Sequence, residues 1–152
     1  MDLDGSARCD GTRPGGTLWW QSSWARPLAS VEMQDYHNLR VWRHAVALAV
    51  NTRRVVSGFP RHGYARLKAQ MVDAAESIVD NVVEGCGAAT QPELARFLDM
   101  AIKSACELEG QYDIAYKYRV IAAPEHRARS ADTIDTRRML FGFRKKVLES
   151  LE

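Results

Sequence analysis

The stretch AAESIVDNVVEGCG, Ala74 to Gly87, decides how the chain reads. Ala74, Ala75, Ile78 and Val82 recur at three- and four-residue steps, and Gly85 and Gly87 close the run. That spacing is the period of an amphipathic helix with one buried face, and glycine is the usual residue where such a helix stops. Carried upstream through Leu67 and Met71, the same face predicts a helix near Tyr64 to Glu84. Gln70, Ser77, Asn81 and Glu84 form a second, polar line along one edge of it.

The neighbouring segments have the same period. A helix is expected near Asn38 to Ser57, with Leu39, Trp42, Val46, Ala49 and Val50 as its stripe and Gly58-Phe59-Pro60 as its end. TQPE opens a third. Thr90 can cap, Pro92 is tolerated in a first turn and Glu93 completes a capping box. Its stripe is Leu94, Phe97, Leu98, Ala101, Ala105, Leu108 and Tyr112, and it ends before Pro124. AAPEHRARS reads as a polar, mobile linker, followed by a fourth helix near Asp132 to Leu151 with Leu140, Phe143, Val147 and Leu151 in register. No strand-like alternation occurs. The predicted fold is all-α: an antiparallel up-down four-helix bundle over residues 36–152. Residues 1–35 have no sustained period, many Gly/Ser/Pro breakers and Trp19, Trp20 and Trp24. They read as a disordered extension or a mis-assigned start, with Met33 as the initiator.

The polar line admits two readings. Glu84 with Glu107 or Glu109 would be a carboxylate pair for acid–base work or a metal. Alternatively Gln70, Ser77, Asn81 and Glu84, with Ser104 and Gln111 on the third helix, form an interhelical network among the small residues Ala74, Ala75, Ala101 and Ala105. A carboxylate bundle site needs Glu-x-x-His, yet Gly87 follows Glu84 and Gly110 follows Glu107 at that spacing. The structural reading is therefore adopted, with no catalytic residue, no metal and no cofactor. There is no HExxH, GxSxG or phosphate-cradling GKS/T loop. Arg53 falls on the apolar side of helix one. It either snorkels to solvent or pairs with a carboxylate such as Glu84 or Glu109.

The 152 residues carry 21 Lys/Arg against 19 Asp/Glu. Residues 1–35 hold three of the former and five of the latter, leaving 18 against 14, a net of +4, for the rest. Arg127, Arg129, Arg137, Arg138, Arg144, Lys145 and Lys146 are the candidate phosphate contacts. Cys9, Cys86 and Cys106 make no disulfide or metal pattern, which suits a reducing cytoplasm. AVALAV is too short to span a bilayer. Val79, Val83, Ile102, Phe141 and Leu148 lie off the main stripes and suggest a second apolar face.

Over residues 36–119 the chain resembles the small bacterial four-helix-bundle proteins first noticed as reading frames within intervening sequences of 23S ribosomal RNA genes. LRVWRHAVALAV, the Phe59-Pro60 pair, LKAQ, AAESIVDNVVEGCG, ELARFLDMA and SACELEGQ carry the resemblance. Val72 and Asp73 stand where that family usually has two arginines, and Arg53 where it has an aromatic. The loss of two charges weakens nucleic-acid binding through helix two. The family is related in fold to the accessory protein of diversity-generating retroelements, which is similar to a homopentamer with a basic surface working beside a reverse transcriptase and RNA. The resemblance implies a non-enzymatic, self-associating bundle that meets RNA or DNA. The competing expectation is a protein–protein interaction module with no nucleic-acid role.

Overall fold

The computed structural model describes residues 35–151. The expectation for residues 1–35 therefore lies, but for Asp35, outside the described residues. Four helices follow a 3-10 turn at Tyr36–Asn38: α1 (Arg40–Ser57), α2 (Ala65–Cys86), α3 (Gln91–Lys117) and α4 (Ala123–Glu149). Each packs on its chain neighbours, and α1 closes the square against α4. This is the predicted antiparallel up-down bundle.

The core is made where the sequence places it on α2 and α3. Leu67, Met71, Ala74, Ala75, Ile78 and Val82 are buried against Leu94, Leu98, Ala101, Ala105, Leu108 and Tyr112. Ile102, expected on an outer face, is also core, whereas Phe141 is exposed. Gly85 does not stop α2, which runs on to Cys86. A Cβ at Gly85 would lie 2.9 Å from Leu94 Cδ1 and 3.1 Å from Phe97 Cβ, so its bareness lets α2 and α3 approach closely. Gly85→Ala is therefore expected to cost about 1 kcal/mol in urea melts, because overpacking outweighs the gain in helix propensity. A gain in stability would show that the two helices can part freely.

On α1 the buried face is Val41, Ala45, Leu48 and Thr52, one step round from the expected stripe. Val50 is exposed, and Leu39, Trp42 and Ala49 sit at the edge of the core. Arg53 then falls on the rim, exposed, and its Nε donates to Glu76 Oε1 at 2.7 Å. It both reaches solvent and pairs with a carboxylate, that of Glu76 rather than the examples Glu84 and Glu109.

The expected linker around AAPEHRARS is instead the first two turns of α4, with Pro124 in the opening turn. There the missing N–H costs nothing, as with Pro92 in α3. Thr133 and Thr136 continue the buried face toward the N-terminus. Each donates its hydroxyl to the carbonyl four residues back, Arg129 and Asp132, at 2.8 Å. In α3, Thr90 Oγ1 accepts from Glu93 N at 3.3 Å. The Glu93 carboxylate reaches back to Ala89 N at 3.2 Å, one residue before the usual capping-box partner.

Candidate nucleic-acid interface

The α1–α2 loop, residues 58–64, and the α3–α4 loop, residues 118–122, share one end of the bundle, as up-down winding requires. Neither contains an Asp or Glu. Arg54, Arg61, Arg66, Lys117, Arg119 and Arg127 lie in or beside these loops, exposed. None of the six has a carboxylate partner among the described residues. The nearby carboxylates are already occupied. Asp113 pairs with His126 at 2.7 Å, and Glu125 with Arg129 at 3.1 Å. Coulomb repulsion among exposed cations is damped by water and salt, so the set is tolerable without partners.

The same end carries three exposed tyrosine rings, those of Tyr64, Tyr116 and Tyr118. The rings of Tyr64 and Tyr118 lie 6.0 Å apart, and Tyr116 stacks on His126 at 4.7 Å. Tyr64 and Arg119 are the non-glycine residues with left-handed backbone among those described, each at φ 58°. Such a conformation costs a side-chain-bearing residue roughly 1–2 kcal/mol, and strain of this kind concentrates at functional sites.

The cations expected on α4 are arranged differently. Arg137 donates to Glu109 at 2.8 Å and to the Cys106 sulfur at 3.4 Å, across the α3–α4 seam. The Cys106 bond and then Glu109 hold its guanidinium more firmly protonated than usual, against the pull of burial. Arg144 reaches Asp99 at 2.5 Å across the same seam. Arg129 is bracketed by Glu125 and Asp132, Arg138 lies at 3.3 Å from Asp135, and Lys145 at 3.6 Å from Glu149. Of the seven candidates, Arg127 and Lys146 alone have no carboxylate partner among the described residues, and Arg127 belongs to the loop end. Helix four is thus largely self-neutralised, while the loop end is not.

The polar line on α2 is only partly a network. Ser77 and Ser104 share a hydroxyl hydrogen bond of 2.9 Å across the α2–α3 seam. Ser104 also reaches the Met100 carbonyl at 3.1 Å. Asn81 Nδ2 donates to the Ser77 carbonyl at 2.7 Å and to its hydroxyl at 3.1 Å. Gln111 is buried but reaches only Glu107 on its own helix, at 3.4 Å. Gln70 and Glu84 make no side-chain hydrogen bond among the described residues, and Glu84 is exposed. With Asp73, Glu76 and Asp80 it gives α2 an acidic flank instead. No group of three or more His, Cys, Asp or Glu among the described residues is placed to hold a metal. Asn81→Leu is expected to cost about 1 kcal/mol by losing its bonds to Ser77. Glu84→Gln should cost less than about 0.5 kcal/mol, as surface changes do. Equal urea midpoints for the two variants would remove Asn81 from the seam.

Sequence reasoning missed the loop end because its cations are scattered along the chain over residues 54–127 and meet only through the fold. The available signal was GFPRHGY and YKYR, loops with Arg, Lys and Tyr and no acid. No helix among the described residues is long and apolar enough to cross a membrane.

These features define a small all-α up-down bundle whose loop end is basic and aromatic and whose α2 flank is acidic. The chain belongs to the 23S rRNA-intervening sequence protein family, whose model matches residues 37–142. That span includes both loops of the basic end and stops short of Arg144, Lys145 and Lys146. A solved structure from Bacteroides thetaiotaomicron VPI-5482, of a protein of unknown function from the S23 ribosomal protein family, has the same fold. It superposes with a TM-score of 0.64 at 18% identity, covering 69% of this chain and 98% of that one. At that identity the likeness is one of fold alone. No curated protein matches the sequence.

Proposed function

We propose that the chain is a non-enzymatic, self-associating bundle that binds nucleic acid weakly and without sequence preference through its loop end. The observation that carries this reading is the set of six exposed cations without carboxylate partners among the described residues, drawn from the four helix ends and the two acid-free loops between them. A polyanion gains most where charge is not already neutralised, because each phosphate contact then releases counterions. The acidic flank of α2 repels the same polyanion and orients it toward the basic end.

Self-association is supported by apolar surface. Val50 is 52% exposed and lies in a groove of about 260 Å³ with Val46, Ala49 and Val79, between α1 and α2. Phe141 on α4 is equally exposed. These are different surfaces, so joining one to the other is head-to-tail and closes only as a ring. By family resemblance the ring is a pentamer, with a reverse transcriptase as a candidate partner. One protomer offers few phosphate contacts, and a ring multiplies them.

Light scattering of the full chain with and without RNA tests both parts. The expected result is a multimer that retains RNA at 50 mM salt and releases it steeply by about 200 mM. A monomer with no retention at low salt overturns the proposal. A multimer without retention leaves a protein–protein interaction module acting through the α1–α2 groove.

A further inference from the structure

We infer that the basic end discriminates single-stranded from duplex nucleic acid by stacking an unpaired base on the Tyr64–Tyr118 pair. This rests on the nucleic-acid reading above and goes beyond it by naming the substrate class. Backbone-only recognition needs cations and nothing else; here two rings stand among them. Tyr118 is 59% and Tyr64 37% exposed, with centroids 6.0 Å apart and planes tilted by 42°. The pair borders an open groove of about 410 Å³, lined also by Arg66, Leu67, Gln70 and Ile114. That volume lies within the range of about 300–1,000 Å³ that holds small planar ligands.

Each part of the groove has a matching part of an unpaired nucleotide. The ring faces and Ile114, itself exposed, offer the apolar surface that a base prefers to water. Gln70, which has no hydrogen-bond partner among the described side chains, brings an amide donor and acceptor to the base edge. Arg66 and Arg119 supply charge to the flanking phosphates.

The platform is held in place. Tyr64 meets buried Phe59 edge-to-face at 6.5 Å and 87°, so one ring of the pair is anchored on the core. Its left-handed backbone, following Gly63 at φ 78°, turns the chain to put the ring there. Arg119, likewise left-handed, directly follows Tyr118. A base already paired and stacked in a duplex has no free face to offer, so the platform adds affinity only for unpaired strands.

Fluorescence anisotropy with the full chain tests this against three probes of equal length: a single-stranded RNA, an abasic sugar–phosphate strand and a duplex. At 0.1 M salt the single strand is expected to bind roughly 5- to 100-fold more tightly than the abasic strand, the worth of one or two stacked bases. Tyr118→Ala should remove most of that preference and leave the salt slope unchanged, whereas Tyr118→Trp should keep it. Tyr118 is exposed, so the variant should melt within a few degrees of the parent; Tyr64→Asn, suited to left-handed backbone, gives a second lesion of the same pair. Equal affinity for single and abasic strands, or a preference that survives both lesions, overturns the platform while leaving the cationic interface standing. Failure of all three probes to bind at 50 mM salt overturns both.

Discussion

Tyr112→Ala is expected to lower the free energy of unfolding by about 3–5 kcal/mol, whereas Tyr112→Phe should cost about 1 kcal/mol. Tyr112 is fully buried on α3 and is the largest such side chain. Its hydroxyl lies 2.8 Å from Thr52 Oγ1 on α1. Thr52 spends its own proton on the Leu48 carbonyl, also at 2.8 Å, so the phenol is the donor in the interhelical bond. Alanine removes the ring, leaves a cavity where α1, α3 and α4 converge and strips Thr52 of its donor. Phenylalanine removes only the donor.

The same residue predicts a pH dependence. Burial pushes the Tyr112 phenol from 10.0 up to about 12. The folded state thus holds the neutral form more firmly than the unfolded chain does. The contribution is fully present below pH 10 and is lost as pH rises toward 12. A two-unit shift corresponds to roughly 2–3 kcal/mol. Urea melts of parent and Tyr112→Phe at pH 7, 10 and 11 check this. The parent should lose stability faster than the variant above pH 10, and parallel declines would show that another group controls alkaline unfolding.

Most of the fold was legible, because α2 and α3 each have one apolar face and polar residues elsewhere. Every residue of the α2 stripe is buried. Helix α1 was misread by one step because AVALAV is apolar on most of its circumference and fits more than one stripe. The true face ends in Thr52, which satisfies its hydroxyl within the helix and counts as polar only by name. The oddity of Arg53 was a consequence of that rotation. The first turns of α4 were missed for a different reason: residues 123–130 open on Pro124 and bury no side chain fully, so no apolar period marks them. The basic loop end was the least legible part. Its charges come from four helices and the two loops between them, and only topology tells which runs of arginine remain unneutralised. Arg137 and Arg144 are close in sequence to Arg138, Lys145 and Lys146, yet they serve the α3–α4 seam.

A variant with Arg54, Arg61, Arg66 and Lys117 changed to Gln, and Arg119 to Asn, is expected to bind single-stranded RNA on the order of a thousandfold more weakly at 0.1 M salt. Each phosphate contact on a single strand contributes a log–log slope of about −0.7, or roughly 5-fold between 1 M and 0.1 M salt, and five such contacts multiply to this size. The salt slope should flatten by about 3 to 4. All five side chains are exposed and lack carboxylate partners among the described residues, so stability should hold. Asn at position 119 accepts the left-handed backbone there. The contrasting variant changes Arg144, Lys145 and Lys146 to Gln. It breaks the Arg144–Asp99 bridge at the α3–α4 seam and should lower stability slightly. Its salt slope should fall by no more than about 1, through Lys146, because Arg144 and Lys145 are already neutralised. Anisotropy titrations at 50, 100 and 200 mM salt separate the two. If the five-site variant kept its affinity and the α4 variant lost it, the interface would lie on helix four, where the run of charge in the sequence alone points.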